Sequence, residues 1–159
     1  APLPVTVVCE DEVVASWARS LGADVSWTPD RDLSAAVNDT YRQLGEEGIE
    51  RVVVAHGDLP FAADLDLLAW VDPEVVVLVP DRHRRGSNVV SVPTGVDFTF
   101  SYGPDSLARH TAEVERLGLV LRVVNSESLG WDVDEPADLD FPGHLSDPDW
   151  ERDRPNRSA

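Results

Sequence analysis

Val52-Val53-Val54-Ala55-His56-Gly57-Asp58-Leu59-Pro60 is the stretch that decides how this chain is read. Val52 to Ala55 make a short continuous apolar run, the pattern of a strand buried on both faces. Gly57 frees the backbone for a sharp turn, and Pro60 ends any ladder. Asp58 therefore sits just past the carboxyl end of a strand, which in an open α/β sheet is where ligands bind. A carboxylate there can hold Mg²⁺, which prefers oxygen ligands and often bridges to phosphate. It can equally shape a turn or cap the next helix. The local pattern leaves both open.

Working outward, strands and helices alternate for the first half of the chain, which predicts an α/β fold with a mostly parallel sheet. Val5 to Cys9 reads as a strand. Glu10 to Glu12 begin a helix with Val13, Val14, Trp17, Ala18 and Leu21 on its apolar face, closed by Gly22. Val25 to Trp27 is a short strand. Asp32 caps a helix running to about Glu46, with Leu33, Val37, Tyr41 and Leu44 as its stripe and Gly48 at its end. Ala63 to Val71 reads as a helix. Val75 to Val79 is the most hydrophobic run and so a central strand, and Ser87 to Val92 is another. Phe98 to Tyr102 is strand-like or irregular. Pro104 opens a helix to Leu117. Leu119 to Val124 is a strand, and Pro136 to Leu139 a helical turn. The expected organisation is one domain over 1–140, followed by a disordered acidic and arginine-bearing tail over 141–159.

The 159 residues carry 30 acids against 13 bases, a formal charge of −17. Every base is arginine. That surface argues against nucleic acid and anionic membranes as partners. A phosphate ligand would need local help from metal, arginine or a helix N-terminus. One cysteine, Cys9, allows no internal disulfide, and cytoplasm is the default compartment. No methionine is present, so a processed or truncated chain is expected.

Other clusters can carry chemistry. Asp132 and Asp134, two apart in an extended segment, point to one side and can bracket a divalent metal, or form a solvated acidic loop. Tyr102-Gly103-Pro104-Asp105-Ser106 at a helix start offers free N–H groups and a hydroxyl to an anion, or ordinary capping by Asp105 or Ser106. Arg82, Arg84 and Arg85, followed by Gly86-Ser87-Asn88, can clamp phosphate or remain a solvated hairpin loop. His110, one turn after Ser106, faces the same site or packs.

In order and spacing, Gly57-Asp58-Leu59-Pro60, Pro80-Asp81-Arg82 with Gly86-Ser87-Asn88, Tyr102-Gly103 with Ser106 and His110, and Asp132-x-Asp134 with Pro136 and Asp138-Leu139 resemble one family. It is the 2-phospho-L-lactate/phosphoenolpyruvate guanylyltransferases of coenzyme F-420 biosynthesis. The resemblance covers about residues 5 to 140. It implies a Rossmann-like, GT-A-like nucleotidyltransferase fold, a three-layer α/β/α arrangement around a mixed, mostly parallel sheet. It implies GTP as donor, phosphoenolpyruvate or 2-phospho-L-lactate as acceptor, and pyrophosphate as leaving product.

By the same resemblance Asp58, Asp132 and Asp134 would be catalytic and hold Mg²⁺. Ser87 or Asn88, Gly103 and Ser106 would bind the acceptor phosphate. Where the family carries a Gly-Leu-Asn segment near the base, this chain has Asp32-Leu33-Ser34, which puts Leu33 and Ser34 beside the nucleotide. The family also begins with a strand and a basic loop that have no counterpart here. The expectation is therefore two unpaired strand edges and little transferase activity in the chain alone. Rival readings are a molybdopterin guanylyltransferase, a non-catalytic nucleotide- or phosphometabolite-binding domain, and an α/β interaction domain with a basic partner. A homodimer remains open.

Overall fold

The computed structural model describes residues 3–141 and residue 143. The expected disordered tail lies almost wholly outside them. Phe141, the first residue assigned to that tail, is described, and its ring meets Phe61 edge-on at 4.8 Å between centroids.

Six strands and four helices follow in chain order: β1 (Thr6–Cys9), α1 (Glu12–Ser20), β2 (Asp24–Trp27), α2 (Leu33–Glu46), β3 (Arg51–Ala55), β4 (Val75–Pro80), β5 (Ser87–Pro93), α3 (Ser106–Leu117), β6 (Val120–Val123) and α4 (Glu127–Gly130). The helix expected over Ala63 to Val71 is only a 3₁₀ segment, Leu65–Ala69, and a second such turn spans Pro136–Leu139. The larger sheet has the order β3-β5-β4-β6, while β1 and β2 form a separate parallel pair. β4 and β6 are parallel, and β5 runs against both β3 and β4. Three of its four strands thus share a direction, and the reversed one is β5.

β4 is central, as its hydrophobicity predicts, and its alternating side chains serve two cores. Val76 and Leu78 join Val90, Val92, Val37 and Tyr41 of α2, and Val114 of α3 on one face. Val77 and Val79 join Val89, Leu68, Val124 and Leu129 of α4 on the other. This period-two sharing sandwiches the sheet between helical layers. Each fully buried Val or Leu contributes about 1.5–3 kcal/mol. Among the described residues no helix is long and apolar enough to cross a membrane.

Two further expectations fail. β3 is not buried on both faces: it pairs only with β5 in its sheet, and all five residues keep partial exposure. A run of valines can mark such an edge because β-branched side chains suit a pleated surface wherever it lies. α1 also turns the other way. Its buried residues are Ala15 and Ala18, while Val13 is 78% and Trp17 59% exposed. The small side chains let the helix backbone approach its neighbours, and the bulky face points outward. The helix starts at Glu12 rather than Glu10, with Asp11 as its cap accepting the Val13 and Val14 N–H groups, and Gly22 stands in the left-handed region as expected of the residue that closes it.

Candidate active site

The reversal of β5 decides what meets at the carboxyl edge of the larger sheet. β3 and β4 end there, and β5 begins there, with Ala55 opposite Val89 and Pro80 opposite Ser87. The chain around these ends is stitched together through its backbone. His56 N–H donates to the Asn88 carbonyl at 3.1 Å, Arg82 N–H to the Gly130 carbonyl at 2.8 Å, and Val133 N–H to the Asp58 carbonyl at 3.1 Å. Asn88 Nδ2 adds a bond to the Leu129 carbonyl at 3.1 Å.

The Val133 bond brings the Asp58 turn against the segment carrying Asp132 and Asp134. The Asp58 and Asp134 residues are exposed. Asp132 is not: its side chain is 13% exposed, and Oδ1 is buried with no hydrogen-bond partner. Burial pushes its carboxyl pKa up, and the neighbouring Asp134 charge adds to that, against the opposing pull of Arg82 at 3.8 Å. Asp138 plays a different part. Its Oδ2 accepts the N–H groups of Asp134 and Glu135, each at 2.8 Å, and these bonds hold its carboxyl below the usual range. Among the described residues no group of three or more His, Cys, Asp or Glu side chains is gathered closely enough to form a metal cage.

The residues expected to take the acceptor lie deeper. Ser87, Asn88 and Ser106 are 0%, 2% and 3% exposed. Ser87 N–H donates to Ser106 Oγ at 3.0 Å. His110 Nε2 accepts the Ser101 N–H at 2.9 Å, so the ring proton sits on Nδ1, which donates to Ser87 Oγ at 3.0 Å. Burial, and after it the Arg109 guanidinium, push the His110 pKa down to about 4. His110 is thus a neutral, satisfied strut. Both serine oxygens accept a bond and keep a hydroxyl proton to donate.

The helix start differs from expectation. α3 begins at Ser106, with Pro104 ahead of it and Asp105 in the left-handed region without a side-chain cap. The free N–H groups expected for an anion are spent: Ser106 donates to Gly103, Leu107 to Arg85, and Ala108 and Arg109 to Asp105 carbonyls. Gly103 itself is exposed and turns with φ 103°. Arg109 holds this turn from outside, bonding the Ser101 and Tyr102 carbonyls at 3.2 and 2.9 Å.

Ser34 reaches the same neighbourhood. Asp32 caps α2 through the Ala35 N–H at 2.9 Å, as the sequence predicts. Ser34 Oγ accepts the Tyr102 N–H at 2.8 Å. Asn38 bonds Phe100 at both its N–H and its carbonyl, each at 2.9 Å, so the irregular strip 98–102 is laced to α2 rather than paired in a sheet. Leu33 is exposed.

Sequence reasoning missed what three residues do. Arg82, read with Arg84 and Arg85 as a phosphate clamp or a solvated hairpin loop, is a clasp. It bonds the Asp132 carbonyl at 2.8 Å, pairs with Asp138, and stacks its guanidinium 4.5 Å from the Trp131 ring centroid. Arg84 bonds Asn125 and Arg85 bonds Asp105. His56 and Tyr102 are the others. His56 Nε2 and Tyr102 Oη are buried without partners, and their rings lie 5.1 Å apart. With Asp132 Oδ1 they are the three unpartnered buried side-chain polar atoms among the described residues. All three residues stand at this edge. Each such atom costs about 1–3 kcal/mol when left without a partner. Nothing in the sequence singles out His56, since its signal is the absence of a partner that only the fold withholds.

The sequence matches the family described as "Guanylyl transferase CofC like" over residues 1–141. It is 32% identical over 143 residues to the phosphoenolpyruvate guanylyltransferase of Chloroflexus aggregans, covering 87% of this chain and 70% of that protein. Against the protein of the same name from Roseiflexus castenholzii the identity is 30% over 146 residues, with 89% and 68% covered. Against that of Conexibacter woesei it is 41% over 100 residues, with 60% and 45% covered.

Proposed function

The chain belongs to the CofC-like guanylyl transferase family, and from that membership we propose that it transfers GMP from GTP to the phosphate of a phospho-acid in the making of coenzyme F-420. An acceptor phosphate oxygen attacks the α-phosphorus of GTP, the bond from that phosphorus to the β-phosphate oxygen breaks, and pyrophosphate leaves. The name shared by the relatives favours phosphoenolpyruvate over 2-phospho-L-lactate as acceptor.

The observation that carries this reading is the gathering of three orphaned polar atoms at one sheet edge, where α/β folds bind ligands. Asp132 Oδ1 suits a divalent cation: it is buried, makes no hydrogen bond, and has only the Arg82 guanidinium 3.8 Å away to offset its charge. Mg²⁺ is usually held by one or two carboxylates plus substrate phosphates, so a three-carboxylate cage is not required. Asp132 with one of Asp58 and Asp134 would hold it together with substrate phosphate oxygens, and when bound it would neutralise charge on those oxygens. The Ser87 and Ser106 hydroxyls, with Asn88 and Gly103, would seat the acceptor phosphate, and Leu33 and Ser34 would border the nucleotide.

The test is incubation with GTP, Mg²⁺ and either phospho-acid, followed by mass analysis. Against the expectation from sequence of little activity in the chain alone, the expected result is a guanylylated adduct of phosphoenolpyruvate that is lost in Asp132→Asn. Absence of any adduct, or its full retention in that variant, overturns the reading or the role of Asp132, respectively.

A further inference from the structure

We propose that Asp138 is a positioning residue for the cation site: it holds the Arg82 guanidinium off the Asp132 carboxylate, so that Asp132 Oδ1 stays free for a divalent metal. The assignment rests on the metal role given to Asp132 in the guanylyl-transfer reading. Arg82 comes within 3.8 Å of that oxygen and yet makes no hydrogen bond to it. Its three side-chain nitrogens are engaged elsewhere. Nε donates to His83 Nε2 at 3.2 Å, one terminal nitrogen to the Asp132 carbonyl at 2.8 Å, and the other to Asp138 Oδ1. The Trp131 ring lies 4.5 Å from the guanidinium, and its indole N–H donates to the Asp138 carbonyl at 3.0 Å.

A guanidinium is drawn to a carboxylate more strongly than to a carbonyl, because the carboxylate carries a full negative charge. Two carboxylates stand within reach of Arg82, and Asp138 takes it. The Arg82 and Asp138 side chains are 24% and 13% exposed, so water screens their pairing only in part. Asp138 is itself pinned, with Oδ2 accepting the Asp134 and Glu135 N–H groups at 2.8 Å each. A direct pair between Arg82 and Asp132 would occupy the oxygen that a hard cation needs and leave a fixed positive charge in its place. One carboxylate thus does two things. Its Oδ1 draws the guanidinium away, and its Oδ2 shapes the backbone of the acidic loop. Only the first decides whether Asp132 is open, and the two can be separated.

Asp138→Asn separates them, since asparagine keeps a carbonyl oxygen for the Asp134 and Glu135 N–H groups but no charge to hold the guanidinium. Binding of Mn²⁺ and of Mn²⁺–GTP to the whole chain is read from water-proton relaxation, which the protein-bound ion enhances. Thermal melts establish that each variant is folded. Asp138→Asn is expected to raise the Kd for Mn²⁺ about tenfold or more, as Arg82 turns to Asp132. The double variant Asp138→Asn with Arg82→Gln should recover most of that loss, because glutamine keeps an N–H donor for the Asp132 carbonyl and removes the competing charge. Metal-free GTP should bind all three proteins alike. Unchanged Mn²⁺ binding in Asp138→Asn overturns the proposal. A loss that the double variant does not recover also overturns it and makes Asp138 a support for the loop alone. An equal loss for metal-free GTP overturns it in favour of the nucleotide. A wild type that holds Mn²⁺ neither alone nor with GTP overturns it together with the metal role of Asp132, and adduct formation on the same sample then decides separately whether guanylyl transfer stands.

Discussion

Val133 donates its backbone N–H to the Asp58 carbonyl over 3.1 Å, joining two acidic loops through main chain alone. Their side chains are thereby left out of the structural join. Asp58→Asn should keep the fold, with a stability change within about 0.5 kcal/mol, as is usual for an exposed site. Metal-dependent turnover should vanish. Thermal melts and adduct formation, measured together, separate the two; unchanged activity removes Asp58 from the mechanism.

Asp132→Asn should do something less usual and stabilise the unliganded chain. In the folded state the carboxyl pKa is raised, chiefly by burial. The native state therefore holds the proton more tightly than the unfolded one, and ionisation above the folded pKa weakens folding. Removing the charge recovers that loss, which a higher Tm at pH 7 would report. Activity should fall in the same variant. A lower Tm would mean that the pairing with Arg82 outweighs the burial of the charge.

Arg82→Lys keeps a charge but not the planar fork that serves Asp132, Asp138 and the Trp131 ring at once. The expected cost is about 1–3 kcal/mol in urea unfolding. A change below about 0.5 kcal/mol would mean that the clasp contributes little.

Ser106→Ala leaves the buried Ser87 N–H without its acceptor. A stability loss of about 1–3 kcal/mol should accompany a higher acceptor KM. A raised KM for GTP alone would contradict the placement of Ser106 in the acceptor seat.

His110 sets a pH dependence. Its folded pKa lies near 4, against about 6.5 for a free imidazole. The unfolded chain binds the proton first, so this residue's contribution is complete above about pH 6.5 and is lost as pH falls towards 4. The full loss is about 3 kcal/mol. Nitrogen-15 NMR of the ring should show a neutral Nδ1–H tautomer at pH 6; a midpoint there would refute the burial of a neutral ring.

Much of the fold is legible in the sequence because it is local. Asp32 and Gly22 mark helix ends, and the Val75–Val79 run marks the central strand, through propensities that depend on near neighbours. The facing of α1 is not legible. Its bulky stripe and its alanine face are both regular, and only the close approach of the backbone to its neighbours selects Ala15 and Ala18. The direction of β5 is equally hidden, since a valine-rich strand reads the same either way. At the site the sequence points to Asp58, Asp132, Ser87 and Ser106, because acids and hydroxyls carry chemistry by type. It gives no sign that Arg82 is a clasp, or that His56 and Tyr102 lack partners, because both facts depend on residues far along the chain.

Arg82 reaches 50 residues to Asp132 and 56 to Asp138. Such long closures cost more chain entropy than the β4–β5 hairpin, so in folding they follow that hairpin. The segment they pin, from Trp131 to Leu139, has only one 3₁₀ turn of its own, and such segments open at low free energy. Chemical competence therefore hangs on one clasp rather than on the sheet: undoing it would free the Trp131–Leu139 segment while the strand pairing stays made.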